Sequence, residues 1–137
     1  MAKIINAQQL MDMDYPKDTK MWGNFIVRGA LNAIIGGSDT GKSTLLRLLG
    51  LAVARGDSDY LGFPLKLRTN SALIVSIEDG VQSVAEVFQE RYSGMMSEGV
   101  ERLDFMFELE EEASKAIWKA LELTTYDIVF IDCYSDA

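Results

Sequence analysis

The sequence predicts an α/β fold built on a parallel sheet. Two runs, residues 71–77 and 127–132, are apolar on both faces, as buried parallel strands are. Segments of helical period lie between the strand-like runs, and that alternation implies a parallel sheet with right-handed crossovers. A glycine-bounded loop, residues 36–41, joins a further apolar run to a leucine-rich helix.

In chain order, residues 1–20 read as a polar, exposed lead-in. A short helix at 8–13 is ended there by Tyr15-Pro16. Residues 21–28 carry Trp22, Phe25, Ile26 and Val27 and fit a short strand or hairpin arm. Gly29 turns the chain into the apolar run 30–35. Residues 42–54 read as a helix, with Leu45, Leu46, Leu48, Leu49, Leu51 and Val53 covering most of its circumference and Gly56 at the C-cap. Residues 57–70 read as a long connection. The buried strand 71–77 leads through Glu78-Asp79-Gly80 to a helix at 81–92, with Val84, Val87, Phe88 and Arg91 at helical spacing. Leu103, Phe105, Phe107 and Leu109 alternate with Asp104, Met106 and Glu108, which marks a half-exposed strand at a sheet edge. Residues 110–123 form a helix whose leading glutamates suit its positive end. In the last strand, Ile128, Val129, Phe130 and Ile131 lie between two aspartates. The strands ending at Glu78 and Asp132 are expected to be neighbours, with 103–109 outermost.

A chain of 137 residues holds one domain or less, and it is long enough to bury a core. With 48% hydrophobic and 25% charged residues, its composition excludes a disordered chain and a collagen-like one. Thirteen basic against 21 acidic residues leave a net charge of −8, which does not attract nucleic acid by itself. The single cysteine, Cys133, excludes an internal disulfide and fits a reducing compartment. Its position at a strand end suits a small packing residue better than a redox sensor. Without histidine, a His-based triad and a His-rich zinc site are excluded. The N-terminus lacks the apolar core of a signal peptide, and the stretch 45–54, broken by Arg47, is too short to span a bilayer. No membrane partner and a cytoplasmic location are expected.

The chemistry concentrates in the loop. Gly36-Gly37-Ser38-Asp39-Thr40-Gly41-Lys42-Ser43 satisfies the phosphate-loop pattern, with a strand before it and a helix after it. Glycine lets the backbone wrap closely around phosphate and take positive φ angles. The amides of Gly36, Gly37, Ser38, Asp39, Thr40 and Gly41, with the helix N-terminus, point at the anion. Lys42 supplies charge to the β- and γ-phosphates. The Ser43 hydroxyl is a Mg²⁺ ligand, and Thr44 assists near the α-phosphate. The expected ligands are therefore the phosphates of a nucleotide and Mg²⁺.

Such a site needs a carboxylate near the metal and a base for the attacking water. Asp132 ends a strand where parallel-sheet side chains reach the ligand crevice, so it is read as the aspartate that holds Mg²⁺ through water. Glu78, at the end of the other buried strand, is read as the general base. Asp79 is read as a cap for the following helix, or as a weaker site candidate. Trp22, Trp118 and Tyr126 could stack an adenine, although Trp118 suits packing on a helix face better.

These residues together resemble a family. The loop 36–44, its long helix, Leu61-Gly62-Phe63, the run 72–79 ending in Glu78-Asp79, and the run 126–132 ending in Asp132 occur in this order in RecA-like P-loop ATPases. The chain looks most like the branch related to the plasmid replication helicase RepA. That branch carries a Glu-Asp pair after the second strand and an Arg on the next helix, matched here by Arg91. The lead-in Ile26-Val27-Arg28-Gly29-Ala30-Leu31 looks like that branch too. The resemblance covers roughly residues 21–137. It implies a three-layer sandwich, ATP hydrolysis with Mg²⁺, assembly into rings or hexamers, and work on DNA in replication or recombination. It divides the chain into a lead-in, 1–20, and an ATP-binding domain, 21–137. Because the chain ends just after the Asp132 strand, it is expected to be an N-terminal part of a longer ATPase, with any DNA contact lying elsewhere. A non-hydrolysing nucleotide-sensing adaptor and a small-molecule P-loop kinase are the alternatives. A GTPase is disfavoured by the lack of an Asn-Lys-x-Asp motif, and an ABC-type ATPase by the lack of a Ser-Gly-Gly signature.

Overall fold

The computed structural model describes residues 3–14, 20–28, 41–76, 79–95, 99–107 and 110–132. The apolar run 30–35, the turn at Gly29 and Cys133 lie outside them.

The helices and strands follow the hydrophobic periods. Helix α1 (Ala7–Met11) opens with a capping box in which Asn6 and Gln9 bond each other's backbone. Strands β1 (Lys20–Trp22) and β2 (Ile26–Val27) form an antiparallel hairpin, where the sequence predicts one short strand or hairpin arm over 21–28. Helix α2 (Lys42–Arg55) ends at Gly56, whose φ of 74° is the left-handed cap that glycine permits. The segment 57–70 departs from the expectation of an irregular connection. It contains the hairpin β3 (Asp59–Tyr60) and β4 (Phe63–Pro64), turned by Leu61 at φ 54° and Gly62 at φ 82°. Two positive φ angles in a two-residue turn match the right-handed twist of the strands, and this overrides the weak strand signal of so short an arm.

The sheet proper has the order β6-β5-β7, from β5 (Ala72–Ser76), β6 (Leu103–Phe107) and β7 (Ile128–Asp132). Both pairings are parallel, and β5 is buried at every residue. Thus β5 and β7 are neighbours and, among the described residues, β6 is at the edge, as expected from its alternation. Helices α3 (Val81–Arg91) and α4 (Glu110–Leu123) complete the fold.

Side chains alternate across β5, and so do its two cores. Ala72 and Ile74 join Leu49, Leu51 and Val53 of α2, with Val87 and Phe88 of α3 packed against them. Leu73 and Val75 face the other way, against Ile117 and Ala120 of α4 and Tyr126. The sheet is therefore covered on both faces, which makes three layers. Gly50 lets α2 approach closely, since a Cβ there would sit 3.0 Å from Leu103 and 3.4 Å from Ile74. No helix of the described residues is long and apolar enough to cross a membrane.

The amino end of the sheet is clamped. Asp127, just before β7, accepts hydrogen bonds from Arg28 (2.7 Å) and from the backbone N–H groups of Arg68, Thr69 and Asn70 (2.8, 2.9 and 2.7 Å). Burial by itself would raise its pKa, but Arg28 and the three amides outweigh that and hold it below the ordinary carboxylate value. The two small hairpins dock beside this clamp. Trp22 donates its indole N–H to the Tyr60 carbonyl at 2.9 Å and packs against Phe25, Tyr60 and Phe63.

Candidate functional site

The carboxyl end of the sheet brings several predicted residues together. Gly41 precedes α2 at φ 87°, a conformation suited to glycine. Gly41, as N-cap, brings no side chain to this N-terminus, and a positive helix end suits an anion. Lys42 and Ser43 are half-buried in the first turn, and Thr44 is exposed. Ser43 Oγ donates to Asp132 Oδ1 at 3.1 Å, across 89 residues of sequence. Gly36, Gly37, Ser38, Asp39 and Thr40 lie outside the described residues, and so does Glu78.

Asp79 corrects one expectation. The N-cap of α3 is Gly80, with extended backbone and no side-chain hydrogen bond. The Asp79 carboxylate turns instead to Arg47 Nη2 of α2, at 3.2 Å. Its carbonyl accepts from Ser76 Oγ at 2.9 Å. Ser76 is in turn the partner of Asp132 in the β5–β7 register. Ser43 and Arg47 are four residues apart on α2 and so share a face. A closed circuit results: α2 to Asp132, across to Ser76, on to Asp79, and back to α2 through Arg47. Only the preference of α/β sheets for ligands at carboxyl strand ends was readable beforehand.

Arg47 and Ser76 were not predicted as site residues. The signal for Arg47 was present as a charge inside a leucine-rich helix. At 8% exposure it carries a desolvation cost of several kcal/mol unless it is paired, so a partner was to be expected. Ser76 left no such signal.

The aromatic candidates resolve differently. Trp22 is buried at 7% and its N–H is used, so it is a core residue. Trp118 does not pack as expected, because 70% of its surface is exposed. Tyr126 donates its hydroxyl to Asp104 at 2.6 Å, and its pKa is pushed up to about 12 by burial, that hydrogen bond and the Asp104 charge.

The donor set at Ser43 and Asp132 is oxygen only, which suits a hard cation such as Mg²⁺ that keeps waters and takes few carboxylates. Among the described residues, no cluster of three or more His, Cys, Asp or Glu could hold a metal, so a cage made by protein alone is not seen there.

The AAA domain family matches residues 8–137. No curated protein and no solved structure matches the chain. The match spans nearly the whole sequence, and the chain belongs to the AAA domain family, whose members are ATPase-type P-loop proteins.

Proposed function

We propose that this AAA domain binds ATP with Mg²⁺ on the loop 36–44 and hydrolyses it. The observation that carries the reading is the Ser43–Asp132 hydrogen bond at the N-terminus of α2. A hydroxyl and a carboxylate from distant segments converge there, next to a lysine and a helix end suited to phosphate.

On this reading the amides of Gly36, Gly37, Ser38, Asp39, Thr40 and Gly41 cradle the phosphates. Lys42 holds the β- and γ-phosphates and their developing charge, and Thr44 contacts the α-phosphate. Ser43 would be a direct Mg²⁺ ligand and Asp132 would hold one of its waters; the metal would supply neutralisation of phosphate charge. Glu78 takes the proton of the attacking water. The finer assignment is to the RepA-like branch, supported by Glu78-Asp79 and Arg91. It makes the working protein a cytoplasmic ring, acting in DNA replication or recombination. Residues 21–137 form its ATP-binding domain and 1–20 its lead-in. DNA is not contacted through this acidic surface.

The test is the variant Glu78→Gln. It should keep ATP affinity and lose hydrolysis by about 10²–10⁴-fold, the usual worth of general-base help. Wild-type protein that binds ATP without turnover would favour the sensing-adaptor reading. Transfer of phosphate to a small hydroxyl substrate would favour a kinase.

A further inference from the structure

We propose that the two hairpins at the amino end of the sheet form a docking site for a short acidic peptide segment of another protein, anchored by one aromatic side chain. The site shares no residue with the nucleotide loop, and it does not depend on the function proposed above.

A cavity of about 360 Å³ opens between the β1–β2 hairpin and β4. Phe25 and Phe63 line it and meet edge to face, with ring centroids 4.8 Å apart at 89°. Both rings are left in water, at 55% and 44% exposure. Adjacent exposed aromatics on a soluble chain mark an interaction site. The backbone around them is fixed. Gly23 N–H donates to the Pro64 carbonyl at 2.9 Å, and Lys66 N–H to the Met21 carbonyl at 2.8 Å. Arg28 holds the Lys66 carbonyl at 2.8 Å. Trp22, itself buried, backs both rings at centroid separations of 5.1 and 6.5 Å. Gly23, at φ 49°, shapes the cavity, because a Cβ there would lie 3.2 Å from the Phe63 Cβ and 3.3 Å from the Phe25 ring. Rings held in place lose little freedom when a partner docks, which is what interface anchors require.

Charge selects the occupant. Among the described residues that line the cavity, Lys20 and Lys66 are basic and exposed, and none is acidic. The sign is opposite to that of the whole chain, at −8. Apolar rings beside two ammonium groups suit an aromatic side chain with carboxylates next to it. A second copy would set −8 against −8. A nucleic-acid strand would lay phosphate after phosphate along an acidic surface. A short segment with a few carboxylates brings only what two lysines can balance. Screening over about 8 Å at physiological salt lets those two lysines outweigh more distant acids.

The experiment selects a random dodecapeptide display library on the full chain and measures the affinity of the enriched peptides by fluorescence anisotropy. Those peptides should carry an aromatic residue flanked by Asp or Glu. Their affinity should fall at least about tenfold in Phe25→Ser/Phe63→Ser, and it should weaken as salt is raised. Lys20→Glu/Lys66→Glu should reverse the selection, towards peptides with Lys or Arg beside the aromatic residue. No enrichment over the Phe25→Ser/Phe63→Ser protein, or enriched peptides without acidic residues, would overturn the proposal. Tighter binding of a short oligothymidylate than of any selected peptide would assign the cavity to nucleic acid. Self-association of the wild type that Phe25→Ser/Phe63→Ser abolishes would assign it to a second copy. Either result overturns the peptide site. If Phe25→Ser/Phe63→Ser does not fold, the lysine reversal decides, because it changes exposed side chains only. Selection that is the same on Lys20→Glu/Lys66→Glu as on wild type then overturns the proposal.

Discussion

Asp127 and Asp132 bound one strand, at its amino and carboxyl ends, and their surroundings differ completely. The Asp127 side chain has 0% exposure and accepts from Arg28, from three successive backbone amides and from the Thr69 hydroxyl. An ionised carboxylate offers about four lone-pair sites, so these are filled by the chain itself. Asp132 is half-buried and meets the Ser43 hydroxyl at 3.1 Å. The first is a clamp, whose free energy is spent on joining the segments before β5 to β7. Among the described residues the second accepts from one side-chain hydroxyl, and on the proposed function its remaining lone pairs serve the ligand. The same division runs through the molecule. The amino end of the sheet holds the clamp and the aromatic hairpins, and the carboxyl end holds the circuit of Ser43, Asp132, Ser76, Asp79 and Arg47.

The largest expected effect separates the two aspartates. Asp127→Ala takes the carboxylate from a partly buried guanidinium, which keeps the Lys66 carbonyl, and from three backbone amides, and should cost about 3–5 kcal/mol of stability. Asp132→Asn should cost less than about 1 kcal/mol of stability while weakening Mg²⁺-dependent ATP binding. Urea unfolding and calorimetric titration measure the two quantities, and equal destabilisation by both variants would break the comparison.

Next in size, Lys42→Ala should weaken ATP binding by about 1.5–3 kcal/mol, the worth of a charge-assisted hydrogen bond. Unfolding in the absence of nucleotide should hardly change. Unaltered affinity would remove the carboxyl end from the nucleotide site.

Both ends of the pH scale probe side chains away from the site. The folded-state pKa of Asp127 is lowered, so its contribution is present above the unfolded value near pH 4 and is lost as pH falls through the folded one. Tyr126 has the opposite sign. Its pKa is raised to about 12, so its contribution is present below about pH 10 and fades as pH rises from there towards 12. Asp127→Asn should flatten the acid limb of a stability profile, and Tyr126→Phe the alkaline one.

The smallest effect is a gain. Leu61 holds φ 54° in the β3–β4 turn with 66% of its surface exposed, a conformation that costs a leucine about 1 kcal/mol. Leu61→Asn should raise stability by up to that amount and leave ATP affinity alone. A change in affinity would show that the two ends of the sheet are coupled.

The sequence by itself determined the long helices and the three strands of the main sheet, and where in them Lys42, Ser43 and Asp132 of the proposed site fall. Helix α4 spans Glu110–Leu123, as its apolar period implied, and α2 stops at the glycine expected to stop it. The doubly apolar runs became adjacent parallel strands. Burial period and cap chemistry act over a few residues, so a local pattern carries them. The motif likewise placed Lys42 and Ser43 at a helix start, and strand polarity placed Asp132 near them. The tertiary structure decided which partner each charge found. Arg47 reaches Asp79 across 32 residues and Arg28 reaches Asp127 across 99, and no short-range pattern specifies either. Asp79 could have capped α3, and that local option lost because Arg47, already buried by the leucines around it, needed an anion more than an exposed helix end did. Two aspartates that look equivalent in the sequence thus became a clamp and a candidate site residue, because folding surrounded one with donors and set the other beside a helix end.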